Sequence, residues 1–203
     1  MCLRPFLCIL FVMGIQKSKQ PQKIQYLTLS VYTTLLTIVV CYIIRPDFIG
    51  IRKAFSSLGA YTPTSYIFTG GFLLSAVFLV LDALKTKGIF QKICRFLAAL
   101  GFFMLGVFQI EHGQTRGDLH RLGGLIMLLA IIVSMIGHVI AEWGSSKPKR
   151  RIMYLCFTTM AVTSVVMSIL SSAQFEVIAL QGLAQYIGLL SLVGWAILDS
   201  NQR

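Results

Sequence analysis

The chain has 203 residues, of which 56% are hydrophobic and only 12% charged, and its formal net charge is +11. That balance is too apolar for a soluble domain of this length and makes lipid the natural solvent, while the basic residues sit in short clusters without interleaved stacking aromatics, which excludes a nucleic-acid interface as their purpose. Cys2, Cys8, Cys41, Cys94 and Cys156 have no CxxC spacing, so neither a zinc site nor a disulfide framework is indicated, and they read as small apolar side chains.

In hydrocarbon every backbone N–H and C=O must be satisfied within its own segment, and no stretch shows the alternation of barrel strands, so the apolar runs are expected to be helices. Residues 1–23 form an N-terminal segment with one apolar stretch, 6–15, preceded by Arg4 and too short to cross a bilayer; it resembles a signal h-region without a small-residue cleavage site. Met13 opens a shorter chain, MGIQKSKQ, whose Gly14 and Ser18 match a loose myristoylation pattern that chance supplies easily. Residues 1–12 are therefore either a true beginning or a start assigned too far upstream.

Windows of about 20 apolar residues then fall at 24–44, 65–84, 93–110, 119–141, 152–172 and 177–198, which makes 24–198 a six-helix membrane domain and 199–203 a tail. Small residues recur four apart at Gly71 and Ser75, Ala130 and Ser134, Gly137 and Ala141, and Ser164, Ser168 and Ser172, a spacing that lets helix backbones approach closely. The alternative is a polar path lined by the hydroxyls of the fifth helix.

Thirteen Lys and Arg residues fall on the side of the termini and five on the other, which by the positive-inside rule places both termini in the cytoplasm and agrees with an even number of spans. The far side then holds the longest loop, 45–64, whose stretch SSLGAYTPT has Gly59 and Pro63 as breakers and hydroxyls at Ser56, Ser57, Thr62 and Thr64, and is expected to be ordered against the second helix.

The dense polar constellation is IEHGQTRGDLHRLGG, 110–124, between the third and fourth helices, with Glu111, His112, Arg116, Asp118, His120 and Arg121 close together. Asp118 is expected to cap the fourth helix, where an anion meets the positive end of the helix dipole. A neutral His120 beside it is a candidate metal ligand or general base. The functional reading has Glu111, His112, Asp118 and His120 converging on a metal ion or a lipid head group, with Arg116 or Arg121 on phosphate. The bland reading is a cap plus the interfacial polar residues any hairpin needs, and no HxxxH or HExxH ligand spacing is present.

His138 lies 18 residues after His120, about 27 Å along the helix, so the two cannot share a metal. No other segment supplies a histidine for a haem. It reads instead as an interfacial residue beside Glu142 and Trp143. Charge within the membrane is nearly absent, since Asp82 and Asp199 lie at helix ends; Gln109, Gln181 and Gln185 are the neutral polar groups a transport path would need.

SSLGAYTPTSYIFTGGFLLSA, GVFQIEHGQTRGDLHRLGG and GLAQYIGLLSLVGWAIL occur in this order, and with them the chain resembles the six-helix membrane family called domain of unknown function 998, similar to the Frag, DRAM and Sfk group. The resemblance implies a Ser-x-Leu-Gly-like element, here Ser57, Leu58 and Gly59, and a histidine opening the fourth helix, here His120 with His112 competing. Gln109 departs from the pattern, which often has Pro there. Some eukaryotic relatives are linked to lipid and GPI-anchor remodelling, so the resemblance implies lipid association and no defined reaction.

The expectation is thus an all-α, six-span bundle in the plasma membrane, with both termini cytoplasmic, membrane lipids as partners, no nucleic acid and no cofactor. Its function is expected to be lipid head-group binding or membrane assembly through an outer pocket of Glu111, His112, Arg116, His120 and Arg121. The alternative is a membrane-embedded hydrolase or transferase acting on lipids, using Ser57, Asp118 and His120, with His112, Asp118 and His120 as candidate metal ligands. A small-molecule transporter stands third.

Overall fold

The computed structural model describes residues 25–48, 55–108, 114–141, 148–172 and 178–200. Six α-helices follow one another: α1 Tyr26–Ile44, α2 Thr64–Lys85, α3 Ile89–Val107, α4 Gln114–Ala141, α5 Pro148–Ser172 and α6 Ile178–Ser200. Two short 3-10 turns, Pro46–Phe48 and Phe55–Ala60, lie between α1 and α2, and no strand occurs among the described residues. The helices α1 to α5 each contain a span long and apolar enough to cross a membrane, and α6 carries the shorter apolar stretch Gly182–Leu198. The protein is a multi-pass α-helical membrane protein.

The helix ends differ from the hydropathy windows for a physical reason. Hydropathy stops counting at the first charge, but Lys and Arg are good helix formers whose long stems reach back along the apolar surface. Hence α5 starts at Pro148, four residues before its apolar window, with proline in the first-turn position where a missing N–H costs nothing. Likewise α4 starts at Gln114, so Asp118 sits inside the helix and is not its N-cap.

Consecutive helices pack side by side through short turns, and α6 returns to touch α1, closing the bundle. The core runs through all six, with Ile38, Phe68, Phe102, Ile131, Tyr154 and Trp195 fully buried. Phe68 stacks on Phe72 with ring centroids 4.1 Å apart. Glycine makes the closest crossings possible. A Cβ on Gly101 would lie 2.6 Å from the carbonyl oxygen of Gly123, and one on Gly123 would lie 2.6 Å from the Met104 Cβ, so α3 and α4 meet backbone to backbone. A side chain at Gly71 would overlap Thr37 on α1. Beside it Ser75 joins the two helices, accepting from Ser30 Oγ at its carbonyl (2.9 Å) and sharing a hydroxyl contact of 2.9 Å with Thr34. The close-approach reading of the small residues holds here, at Ser134 and Gly137 against α3, and at Ser164, whose Oγ donates to the Ala184 carbonyl.

One end of the bundle, the terminal end, carries the turn between α2 and α3. The other, the loop end, carries the connection from α1 to α2 and the N-terminus of α4. At the terminal end Asp82 and Arg95 are 0% and 2% exposed and form an ion pair of 3.0 Å. Arg95, one of the thirteen basic residues assigned by sequence to the side of the termini, is thus an interior residue. A desolvated guanidinium is tolerated only with its charge matched and its donors occupied. Asp82 matches the charge, and Thr86 Oγ1 accepts from Arg95 Nη1 while donating to the Asp82 carbonyl (2.8 Å).

Candidate functional site at the loop end

The tight Gly101–Gly123 crossing fixes the height of α4 against α3 and brings His120, one turn before Gly123, to the C-terminal end of α3. There His120 is 4% exposed, and its Nδ1 lies 2.7 Å from the carbonyl oxygen of Phe108, the C-cap residue of α3. A carbonyl can only accept, so Nδ1 carries the proton and donates. The contact satisfies one of the carbonyls that every helix leaves open at its C-terminus. In the neutral ring Nε2 is then a lone pair, buried and without a hydrogen-bond partner among the described residues.

The other sequence-derived residues do not gather around that ring. Asp118 is exposed and faces Arg121 at 3.8 Å, an i,i+3 pair on the helix surface with both side chains more than 60% accessible. Arg116 is exposed as well, and Ser57 is half-buried in the second 3-10 turn. Among the described residues no hydrogen bond or ion pair joins Ser57, Asp118 and His120, and no three of His, Cys, Asp and Glu lie close enough to hold a metal ion. Glu111, His112 and Gln109, like residues 1–23, lie outside the described residues.

In the connection from α1 to α2, the described stretch 55–63 is ordered against α2 as expected, and its chemistry explains why. Thr64 Oγ1 lies 2.6 Å from the Leu58 carbonyl and 2.7 Å from that of Tyr61, a shared donation that folds the chain back onto the start of α2 across the cis Thr62–Pro63 peptide. Leu58 is fully buried, and Gly59 lies so close to Phe68 that a Cβ would sit 2.9 Å from the ring. Gln185 on α6 grips the turn twice, accepting from the Ser56 N–H at 3.1 Å and donating to Ser56 Oγ at 2.8 Å. Next to it the hydroxyls of Tyr42 on α1 and Tyr186 on α6 meet at 2.7 Å. Outside the bundle Arg45 forms a two-pronged pair with Asp47 at 3.0 Å and lies 4.7 Å above the Tyr61 ring. The hydrogen bond to Asp47 raises the Arg45 pKa above its ordinary value.

Two interior polar groups escaped the sequence reading. One is the Asp82–Arg95 pair. The other is a relay across three helices: Trp195 Nε1 donates to Ser134 Oγ at 3.1 Å, Ser134 Oγ to Gln91 Oε1 at 2.5 Å, and Gln91 Nε2 to the Ser134 carbonyl at 3.2 Å. A signal for both was present, because Gln91, Arg95, Ala98 and Phe102 follow helical spacing and place two polar groups on the apolar stripe of α3. His138, expected at the interface beside Glu142 and Trp143, which lie outside the described residues, stacks on the buried Tyr154 ring at 5.1 Å.

A family model described as a protein of unknown function (DUF998) matches residues 28–199. No curated protein and no solved structure matches the chain.

Proposed function

We propose, for a chain that belongs to the protein family of unknown function DUF998, a non-catalytic role in binding lipid head groups at the loop end of the bundle. The observation that carries this reading is the division of labour on α4. His120 is turned inward and occupied with the Phe108 carbonyl, while Arg116 and Arg121 stand exposed on the same helix end. Arginine at a membrane surface is suited to phosphate, which its planar fork can grip with two donors. The bias of Lys and Arg toward the terminal end supports an orientation with both termini cytoplasmic and the loop end outside.

The test is binding of short-chain phosphatidic acid, phosphatidylglycerol and phosphatidylcholine to the detergent-purified full chain, followed by native mass spectrometry. Wild type is expected to retain the anionic lipids, and Arg116→Gln with Arg121→Gln to weaken that binding at least tenfold. Unchanged binding in the double variant overturns the reading.

A second reading, a lipid hydrolase or transferase, is supported by one observation: the buried Nε2 lone pair of His120. A neutral imidazole whose Nδ1–H is held by a carbonyl is in the tautomer a metal ligand or base requires. Lipid turnover by wild type that disappears in His120→Ala, without loss of folding, would establish it. Transport is less well supported, since Gln185 is engaged by the Ser56 turn.

A further inference from the structure

The six helices are held together in two different ways. Within α1 to α4, successive helices pack extensively, and they meet at glycines: Gly71 against Thr37, Gly101 against Gly123, Gly106 against Phe72, and Gly137 against Phe90. The α5–α6 hairpin is built similarly, with Gly194 under the Phe157 ring and Gly188 against Ser164. Between these two bodies the packing is thinner. The α4 and α5 helices meet less extensively than any other consecutive pair, and α6 meets α1 less extensively still.

Apolar residues of both bodies share one buried core, and at each end of the junction a few polar contacts pin it. At the loop end it is crossed by the Tyr42–Tyr186 hydroxyl contact and the double grip of Gln185 on Ser56. At the terminal end it is crossed by the Trp195–Ser134 bond, with both residues fully buried, and by the His138–Tyr154 stack. The two ends differ in what can replace these contacts. At the loop end, water and lipid head groups offer other partners to a hydroxyl or an amide, so opening there costs little. Trp195 is fully buried and can part from Ser134 only by stranding its indole N–H. The loop end is a clasp and the terminal end a hinge.

We infer that the α5–α6 hairpin swings as a rigid body about the Trp195–Ser134 contact, parting α6 from α1 at the loop end and admitting the acyl chain of a membrane lipid between them. Rigid bodies that turn on a few contacts at one end are a common form of conformational change. The apolar residues of both helices, Leu35 and Ile38 on α1 with Leu189 and Val193 on α6, belong to one buried core, so the parted seam offers a chain a surface of its own kind. The identity of the occupant rests on the lipid-binding reading above; the swing does not.

Two measurements on a chain freed of its five cysteines by serine or alanine substitution separate these parts. In the first, nitroxide labels at Ile43→Cys, exposed on α1, and Leu183→Cys, half-buried near the loop end of α6 and about three turns from the Trp195 pivot, report their distance by pulsed electron resonance in nanodiscs. Two separations are expected for this pair, and a single one for the control Ile43→Cys with Tyr66→Cys, which lies within the four-helix body. In the second, Ser56→Cys and Gln185→Cys are bridged by a reducible bis-thiosulfonate spacer, and exchange of a bound fluorescent phospholipid is timed. Bridging is expected to slow exchange at least tenfold and reduction to restore it, whereas a bridge at Ser30→Cys and Ser75→Cys leaves the rate unchanged. A single narrow α1–α6 distance, or exchange indifferent to the Ser56–Gln185 bridge, overturns the inference. Two distances in a protein that binds no lipid at all would instead overturn the lipid-binding reading and leave the swing standing.

Discussion

His120 donates its Nδ1–H to the carbonyl oxygen of Phe108 across 2.7 Å, so a side chain of α4 closes the C-terminal end of α3. Removing it leaves a part-buried carbonyl unmet, a loss of roughly 1 kcal/mol. His120→Ala is therefore expected to lower the unfolding temperature in detergent at neutral pH. Chelators distinguish the readings of Nε2: if no metal is bound there, ethylenediaminetetraacetate shifts neither wild type nor variant, and a shift confined to wild type would make His120 a ligand.

Breaking the Asp82–Arg95 pair from one side should cost more than removing it whole. Asp82→Asn leaves Arg95 desolvated without its counter-ion, a penalty of about 3–5 kcal/mol, while an apolar pair of similar volume is close to neutral. Denaturant titration is expected to place Asp82→Asn far below Asp82→Leu with Arg95→Met. The reverse order would mean that the pair is not buried.

Gly70 and Gly101 offer a comparison in which only the neighbourhood differs. Nothing lies within 4 Å of a Cβ at Gly70, whereas one at Gly101 meets the backbone of α4 at 2.6 Å. Gly70→Ala is expected to stabilise by about 0.5–1 kcal/mol through helix propensity alone. Gly101→Ala has to push α3 and α4 apart and is expected to destabilise. Thermal melts of the two variants side by side provide the check.

Gln185→Ala removes both hydrogen bonds to the Ser56 turn. Amide hydrogen exchange over residues 55–60 is expected to accelerate about fivefold to tenfold, the equivalent of roughly 1 kcal/mol of net hydrogen bonding. Ser56→Ala keeps the bond from its own N–H and should show a smaller effect.

Orientation is tested with single cysteines on intact cells. A membrane-impermeant maleimide is expected to label Tyr61→Cys at the loop end and to leave Lys149→Cys at the terminal end untouched until the cells are opened. The opposite pattern would invert the assignment of faces and move the head-group site to the cytoplasmic leaflet.

The membrane fold was legible because lipid imposes a length and an apolarity on every span, and the windows located all six helices. Their ends were less so, since residues such as Lys149 and Gln114 continue a helix after hydropathy has ceased to count it. Of the candidate site, the ordering of the Ser56 to Thr64 stretch against α2 could be anticipated from its breakers and hydroxyls. That His120 would cap α3 could not, because the carbonyl it meets is a backbone group with no residue signature. Arg95 was misplaced for a different reason. A cation at a helix end looks the same in sequence whether it anchors at the interface or turns inward, and only its register with Ala98 and Phe102 separated the two.

The Asp82–Arg95 pair also bears on biogenesis. Each residue alone would carry a bare charge into the lateral gate of the insertion machinery, at a cost that reaches about 2.5–3.5 kcal/mol at a helix centre and is smaller toward the helix ends where Asp82 and Arg95 sit. Together they are neutral, and only the three-residue turn of Thr86, Lys87 and Gly88 separates the two helices that carry them. The α2–α3 hairpin is thus suited to partition as a single unit, making its two helices one step of integration.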